Sequence, residues 1–203
     1  MVYLRSVKRI GLTGGIGSGK SYIAEILEKM GYPVYYSDAR AKVLTDTHPE
    51  IRTGLISRFG DQIYSEGILN RKELAAHIFN SEPDRIFVNQ LIHPVVRADF
   101  DRWCSAQDSS LVFNEAAILF ETGAYQQFDA TLLVVAPHEL RMQRIVERDR
   151  CTVEQAEARI KSQWSDKQKI SLATHIISND DKSPLLSQLE EVISRLLNAN
   201  KAR

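Results

Sequence analysis

The stretch that most constrains this chain is Ile10-Gly-Leu-Thr-Gly-Gly-Ile-Gly-Ser-Gly-Lys-Ser-Tyr22. Gly14, Gly19, Lys20 and Ser21 fit the pattern G-x-x-x-x-G-K-[ST], the phosphate-binding P-loop. A β-leaning run, Val7 to Leu12, precedes it, and a helical pattern of Ile23, Ile26, Leu27 and Met30 follows it. That strand–glycine loop–helix context is what gives the pattern meaning. Glycines let consecutive backbone N–H groups curl around a polyphosphate. The helix that opens near Lys20 points its positive end at the same place. The expected nucleotide contacts are therefore Gly14, Gly15, Ile16, Gly17, Ser18, Gly19, Lys20, Ser21 and Tyr22. Lys20 reaches the outer phosphates as a point charge, and the Ser21 hydroxyl is the expected ligand of a phosphate-bound Mg²⁺.

Composition narrows the partners. Acidic and basic residues balance at 26 each in 203 residues, so no global field draws in nucleic acid or a membrane surface. An anion site must be local. The longest apolar run, Leu132 to Pro137, is far too short to span a bilayer, and no targeting segment is visible. Cys104 and Cys151 lack metal-type spacing, as expected of a reduced, cytoplasmic chain. No obligatory protein partner is evident.

Four further segments read as strands: Tyr32 to Ser37, Leu111 to Phe113, Thr131 to Ala136 and His175 to Ser178. Apolar runs alternating with helical stretches predict an α/β P-loop NTPase fold, three-layered around a five-stranded parallel sheet. Ligands in such sheets sit beyond the carboxyl ends of the strands, so the glycine loop, Asp38, Glu115 and the Pro137 turn are expected to converge. The spacing is uneven. About seventy residues separate the second and third strands, far more than a crossover requires. This surplus predicts a helical insertion at about 39–109, with helices Pro49 to Phe59, Arg71 to Phe79 and Asp84 to Cys104, the last broken at Pro94. It is either a platform for a second substrate or a structural elaboration. The nucleotide core then comprises about 1–38, 110–137 and 173–203.

The segment 138–172 is basic and helical. Arg141, Arg144 and Arg148 share one helical face, Thr152-x-x-Gln155 fits a capping box, and Arg159, Lys161, Lys167 and Lys169 follow. Two jointed helices rich in cations, starting at a strand's carboxyl end, predict a lid over phosphates. The final helix, Pro184 to Leu197, reads as core packing, with Leu185, Leu186, Leu189, Val192, Ile193, Leu196 and Leu197 on its apolar face.

A P-loop alone does not choose among a GTPase, a motor and a small-molecule kinase. The chain has no Asp-x-x-Gly and no Asn-Lys-x-Asp, which disfavours a regulatory GTPase, and it is short for a motor. A kinase needs a group that takes the proton of the acceptor hydroxyl. Asp38, after the second strand, is placed for that role or for capping the helix that follows it.

These residues resemble the dephospho-coenzyme A kinase family over nearly the whole chain. The resemblance runs through Gly11 to Ser21, Asp38-Ala-Arg-Ala-Lys42, Phe59-Gly60, Gly67-Ile-Leu-Asn-Arg71, Leu74 and Ile78-Phe79. It continues through Asn89-Gln-Leu-Ile-His-Pro94, Glu115 to Glu121, Arg144-x-x-x-Arg148, Gln163 and Asn179. It implies ATP- and Mg²⁺-dependent phosphorylation of the ribose 3′-hydroxyl of dephospho-coenzyme A. It also implies catalytic roles for Asp38, Lys20 and Arg144, with Arg148 as a second clamp on the nucleotide. Asp38, Arg71, Phe79, His93 and Glu115 are then the acceptor-side candidates. Arg71 either meets a substrate phosphate or pairs with a nearby acid; Glu115 either backs the metal or satisfies amides at the strand end. Arg141 is expected at the surface, and Trp103 and Trp164 in packing.

Four positions depart from the family pattern. Tyr36-Ser37-Asp38 keeps only the second aspartate of the usual Asp-Ala-Asp, so Asp38 alone inherits the base role. Tyr22 replaces a threonine, Ala117 a proline, and Thr174 a common aspartate. The open alternatives are another P-loop kinase, acting on nucleosides or nucleotides, and a nucleotide-binding module without catalysis.

Overall fold

The computed structural model describes residues 7–198. Residues 1–6 and 199–203, which the sequence assigns to the nucleotide core, lie outside the described residues. Elements run β1 (Lys8–Gly14), α1 (Lys20–Lys29), β2 (Val34–Tyr36), α2 (Ser37–Thr47), α3 (Pro49–Phe59), β3 (Tyr64–Ser65) and β4 (Ile68–Leu69). They continue α4 (Arg71–Asn80), α5 (Glu82–Ser105), β5 (Leu111–Glu115), β6 (Ala130–Val135), α6 (His138–Asp149), α7 (Val153–Lys161), α8 (Asp166–Ile170), β7 (His175–Ser178) and α9 (Leu185–Asn198). The chain divides into two compact units, Tyr36–Ala106 and the remainder.

The larger unit carries the predicted five-stranded sheet in the order β2-β5-β1-β6-β7. β1 lies centrally and pairs in parallel with β5, Ile10 opposite Phe113, and with β6, Leu12 opposite Leu132. Ile10, Leu12, Phe113, Leu132 and Leu133 are fully buried, as continuous apolar runs in a sheet covered on both faces require. Placing β1 between β5 and β6 brings the glycine loop beside the ends of both neighbours. β2 is shorter than expected, because Ser37 already belongs to α2. Asp38 is thus not the residue that caps α2; Tyr36 occupies that position, and Asp38 sits within the first turn, at the positive end of the helix dipole. In α9 only Leu189, Val192, Ile193 and Leu196 are buried, whereas Leu186 and Leu197 face solvent, so the apolar stripe is narrower than the run of leucines suggested.

The smaller unit is helical around its own core of Leu44, Ile51, Leu55, Phe59, Ile63, Leu69, Leu74, Val88 and Val95. A two-residue hairpin of β3 and β4 closes it. The predicted break at Pro94 is absent: α5 runs unbroken through it for 24 residues. Val88 and Val95 flank Pro94 on either side and are buried, so packing holds the helix through the position where proline removes a backbone bond. Ser81 caps α5 and Asn70 caps α4, each side chain accepting an amide of the first turn.

Candidate active site

The loop between β1 and α1 is shaped by residues far away in sequence. Gly17 and Gly19 adopt φ of 78° and 90°, a left-handed conformation that side chains resist. The loop's carbonyls are then engaged from outside. The Ile16 carbonyl accepts from Arg141 Nε at 2.9 Å, and the Ser18 carbonyl from Asn179 Nδ2 at 2.8 Å. Arg144 Nη1 lies 3.5 Å from the Gly17 carbonyl and 3.4 Å from that of Asn179. The Ile16 amide donates to Gln163 Oε1 at 2.8 Å and the Ser18 amide to the Gly15 carbonyl at 3.0 Å, so the anion donors at this place are the remaining loop amides and the first amides of α1.

Lys20 opens α1, and its ammonium lies 3.2 Å from Glu115 Oε1 at the end of β5. Of the two roles open to Glu115 on sequence, neither describes this contact: its carboxylate holds the P-loop lysine. The glycine loop, Glu115 and the start of α6 after Pro137 do come together, as strand order predicts. The Ser18 hydroxyl and the Thr13 hydroxyl are buried there with no protein partner among the described residues. Ser21, the second residue of α1, offers a hydroxyl of the type that completes the shell of a phosphate-bound Mg²⁺.

Arg144 bridges the loop and the segment after β7, where Asp181 Oδ1 accepts from its Nη2 at 2.7 Å. Asp181 has φ of 59°. The neighbouring Asp180 accepts the amides of Ser183 and Lys182, and these bonds hold its carboxyl far below the usual carboxylate range. A cavity of about 1030 Å³ opens beside the loop, lined by Gly19, Tyr22, Ile26, Arg144, Asn179 and the 181–186 segment. Tyr22, where a threonine is common, stands on its wall.

The three arginines of α6 part company. Arg141, expected at the surface, is buried, because its charge is matched by both Asp166 oxygens at 3.1 Å. Arg148 is exposed and pairs with Asp149, which raises its already high pKa. Lys169, expected over phosphates, is fully buried and lies 2.8 Å from Glu121. α7 begins with the predicted capping box of Thr152 and Gln155, after Arg150 ends α6 in a left-handed conformation.

In the helical unit, Arg71 pairs with Asp46 at 2.6 Å and donates to the Lys42 carbonyl. His93 lies exposed on α5, and Phe79, near the end of α4, is 89% exposed. Trp103 stacks on Phe100 with centroids 6.0 Å apart. Sequence reasoning missed Asp166 and Asp181 altogether. It singled out Gln163 and Asn179 only as recurring residues, without seeing that both hold the glycine loop.

Residues 8–184 match the family model described as dephospho-CoA kinase. The dephospho-CoA kinase of Bacteroides fragilis (strain YCH46) is 42% identical over 189 residues, covering 93% of this chain and 92% of the relative. A crystal structure from Thermus thermophilus superposes with a TM-score of 0.80 at 32% identity, over 95% of this chain and 97% of that one. The dephospho-CoA kinase of Campylobacter jejuni superposes with a TM-score of 0.63 at 26% identity, over 95% and 97% respectively. No helix among the described residues is long and apolar enough to cross a membrane.

Proposed function

Because the chain belongs to the dephospho-CoA kinase family, we propose that it moves the γ-phosphoryl of ATP onto the ribose 3′-hydroxyl of dephospho-coenzyme A. The products are coenzyme A and ADP, and the step is the last of coenzyme A biosynthesis. The observation that carries this reading is the family match over residues 8–184, which spans both the glycine loop and the helical unit.

In this reading the amides within residues 14–21 other than those of Ile16 and Ser18, which protein groups accept, take the β- and γ-phosphates together with the Lys20 ammonium, displacing Glu115 from Lys20. The nucleoside of ATP enters the cavity beside Gly19, between Tyr22 and the 181–186 segment. Ser21 would help hold a phosphate-bound Mg²⁺, which when bound would neutralise charge on the transferring phosphoryl. Arg144, already against the loop, shifts from Asp181 to the phosphate charge that builds up in the transition state. Asp38 takes the proton of the acceptor hydroxyl or orients it, and Arg71, Phe79 and His93 contact the acceptor. Arg148 acts as a second clamp by releasing Asp149. The protein works in the cytoplasm on these two small molecules, without nucleic acid, membrane or an obligatory protein partner.

The test is transfer of γ-phosphate with the product position located on the ribose, run against nucleosides and nucleoside monophosphates as rival acceptors. Label at the 3′-oxygen of dephospho-coenzyme A is expected. ADP release with the rivals and none with dephospho-coenzyme A would overturn the assignment; ATP binding without turnover on any acceptor would point to a non-catalytic module.

A further inference from the structure

We propose that Arg141 is the positioning residue that sets the shape of the phosphate cradle, with Gln163 and Asp166 as its supports. This rests on the reading of the loop as an ATP site. Ile16, at the crest of the loop, is held at both backbone atoms by one distant segment. Its carbonyl accepts from Arg141 Nε at 2.9 Å, and its amide donates to Gln163 Oε1 at 2.8 Å. Arg141 is itself fixed by Asp166, both of whose carboxylate oxygens accept from Nη1 at 3.1 Å.

The glycines bear the imprint of this contact. Gly15 is not among the residues with positive φ, so its backbone does not demand glycine. A Cβ there would lie 2.4 Å from Arg141 Nη2. A Cβ on Gly17 would lie 2.7 Å from the carbonyl oxygen of Arg141. The loop and this arginine are thus fitted against each other on both sides of Ile16. Arginine suits the task because its planar fork serves two acceptors in fixed directions and its charge cannot be shed on burial. A lysine would keep the charge beside Asp166 but could not reproduce the fork. Nε and Nη1 are both engaged with protein acceptors, so these two guanidinium nitrogens act on the loop and its support.

The experiment measures ATP affinity by calorimetry, KM for each substrate, and melting temperature for Arg141→Lys, Arg141→Ala, Gly15→Ala, Asp166→Asn and the Arg141→Ala/Gly15→Ala pair. Arg141→Lys is expected to fold and to lose roughly ten- to a hundredfold in ATP affinity, the scale of a misplaced binding group. KM for dephospho-coenzyme A should change less than about threefold, because the defect is confined to the donor cradle. Gly15→Ala should weaken ATP binding in the parent but add little once Arg141 is alanine, since the clash is gone. Asp166→Asn, which keeps the side-chain shape, should shift ATP affinity in the same direction and serves if the Arg141 variants do not fold. Unchanged ATP affinity in folded Arg141→Lys or in Asp166→Asn overturns the proposal. So do losses that add in full in the pair, or that fall equally on both substrates. A parent protein that binds no ATP would instead sink the functional reading itself.

Discussion

The two units of this chain use the same chemistry, a cation against a carboxylate, to opposite ends. In the unit that holds the glycine loop, the deepest pairs are nearly dry. The side chains of Arg141 and Lys169 are 7% and 0% exposed, facing Asp166 and Glu121. In the helical unit, Arg40, Arg71 and Arg85 are 41–59% exposed while facing Asp99, Asp46 and Glu82. A buried ion pair adds little net stability but is severe to break, because removal of one partner strands the other. An exposed pair exchanges freely with water and ions. The two buried pairs of the loop unit therefore specify one shape. In the helical unit these three guanidinium groups stay half in solvent, where water and ions compete for them.

This contrast can be tested from several directions. Lys20→Met should show the largest effect, a loss of turnover at the upper end of the roughly 10³–10⁵-fold scale, because in the proposed mechanism this lysine meets the transferring phosphates. The same substitution should also lower the melting temperature, since Glu115, whose side chain is 7% exposed, loses its partner. Next, steady-state rates of Arg144→Ala should fall about 10³–10⁵-fold. That is at least as far as those of Asp38→Asn, for which about 10²–10⁴-fold is the scale of a general base. Near-parent turnover in either variant removes that residue from the mechanism.

A smaller effect separates the units by stability. Urea unfolding should find Lys169→Met destabilised by about 3–5 kcal/mol, with much of it recovered when Glu121 is also made apolar. Arg85→Ala, which breaks an exposed pair on α5, should stay within about 0.5 kcal/mol of the parent. Equal losses in the two would erase the contrast.

The smallest concerns Asp180. Its folded pKa is depressed by the amides it accepts, so its charge stabilises the fold above the ordinary carboxylate pKa near 3.8 and ceases to do so as pH falls through the lowered value. Melting of Asp180→Asn should lie a few degrees below the parent at pH 7, and the gap should close progressively below about pH 4. A gap independent of pH would assign the effect to shape alone.

Much of this was legible in the sequence because local patterns carried it. The glycine loop, the strand His175–Ser178, helix Pro49–Phe59 and the capping box at Thr152 each depend on residues within a few positions of one another. Apart from the boundary between β2 and α2, the failures were long-range. A three-and-four spacing correctly placed Arg141 and Arg144 on adjoining parts of α6, but it cannot say that Asp166 waits 25 residues on to neutralise one of them. Lys169 read as a lid cation because its partner, Glu121, stands on the far side of β6 in sequence. Pro94 read as a break because the packing that holds α5 through it comes from other helices. Asp181 left no trace, since an aspartate in a loop of polar residues looks like any turn.

The pairing of Lys20 with Glu115 has one more consequence. An anion that reaches this lysine does not find a bare cation; it must outbid a carboxylate already seated 3.2 Å away. A singly charged anion brings no more charge than the tenant it would evict, and it forfeits its own hydration in the attempt. A polyphosphate brings several charges and reaches the loop amides as well. The contact thus acts as a threshold that favours a multivalent anion over a singly charged one.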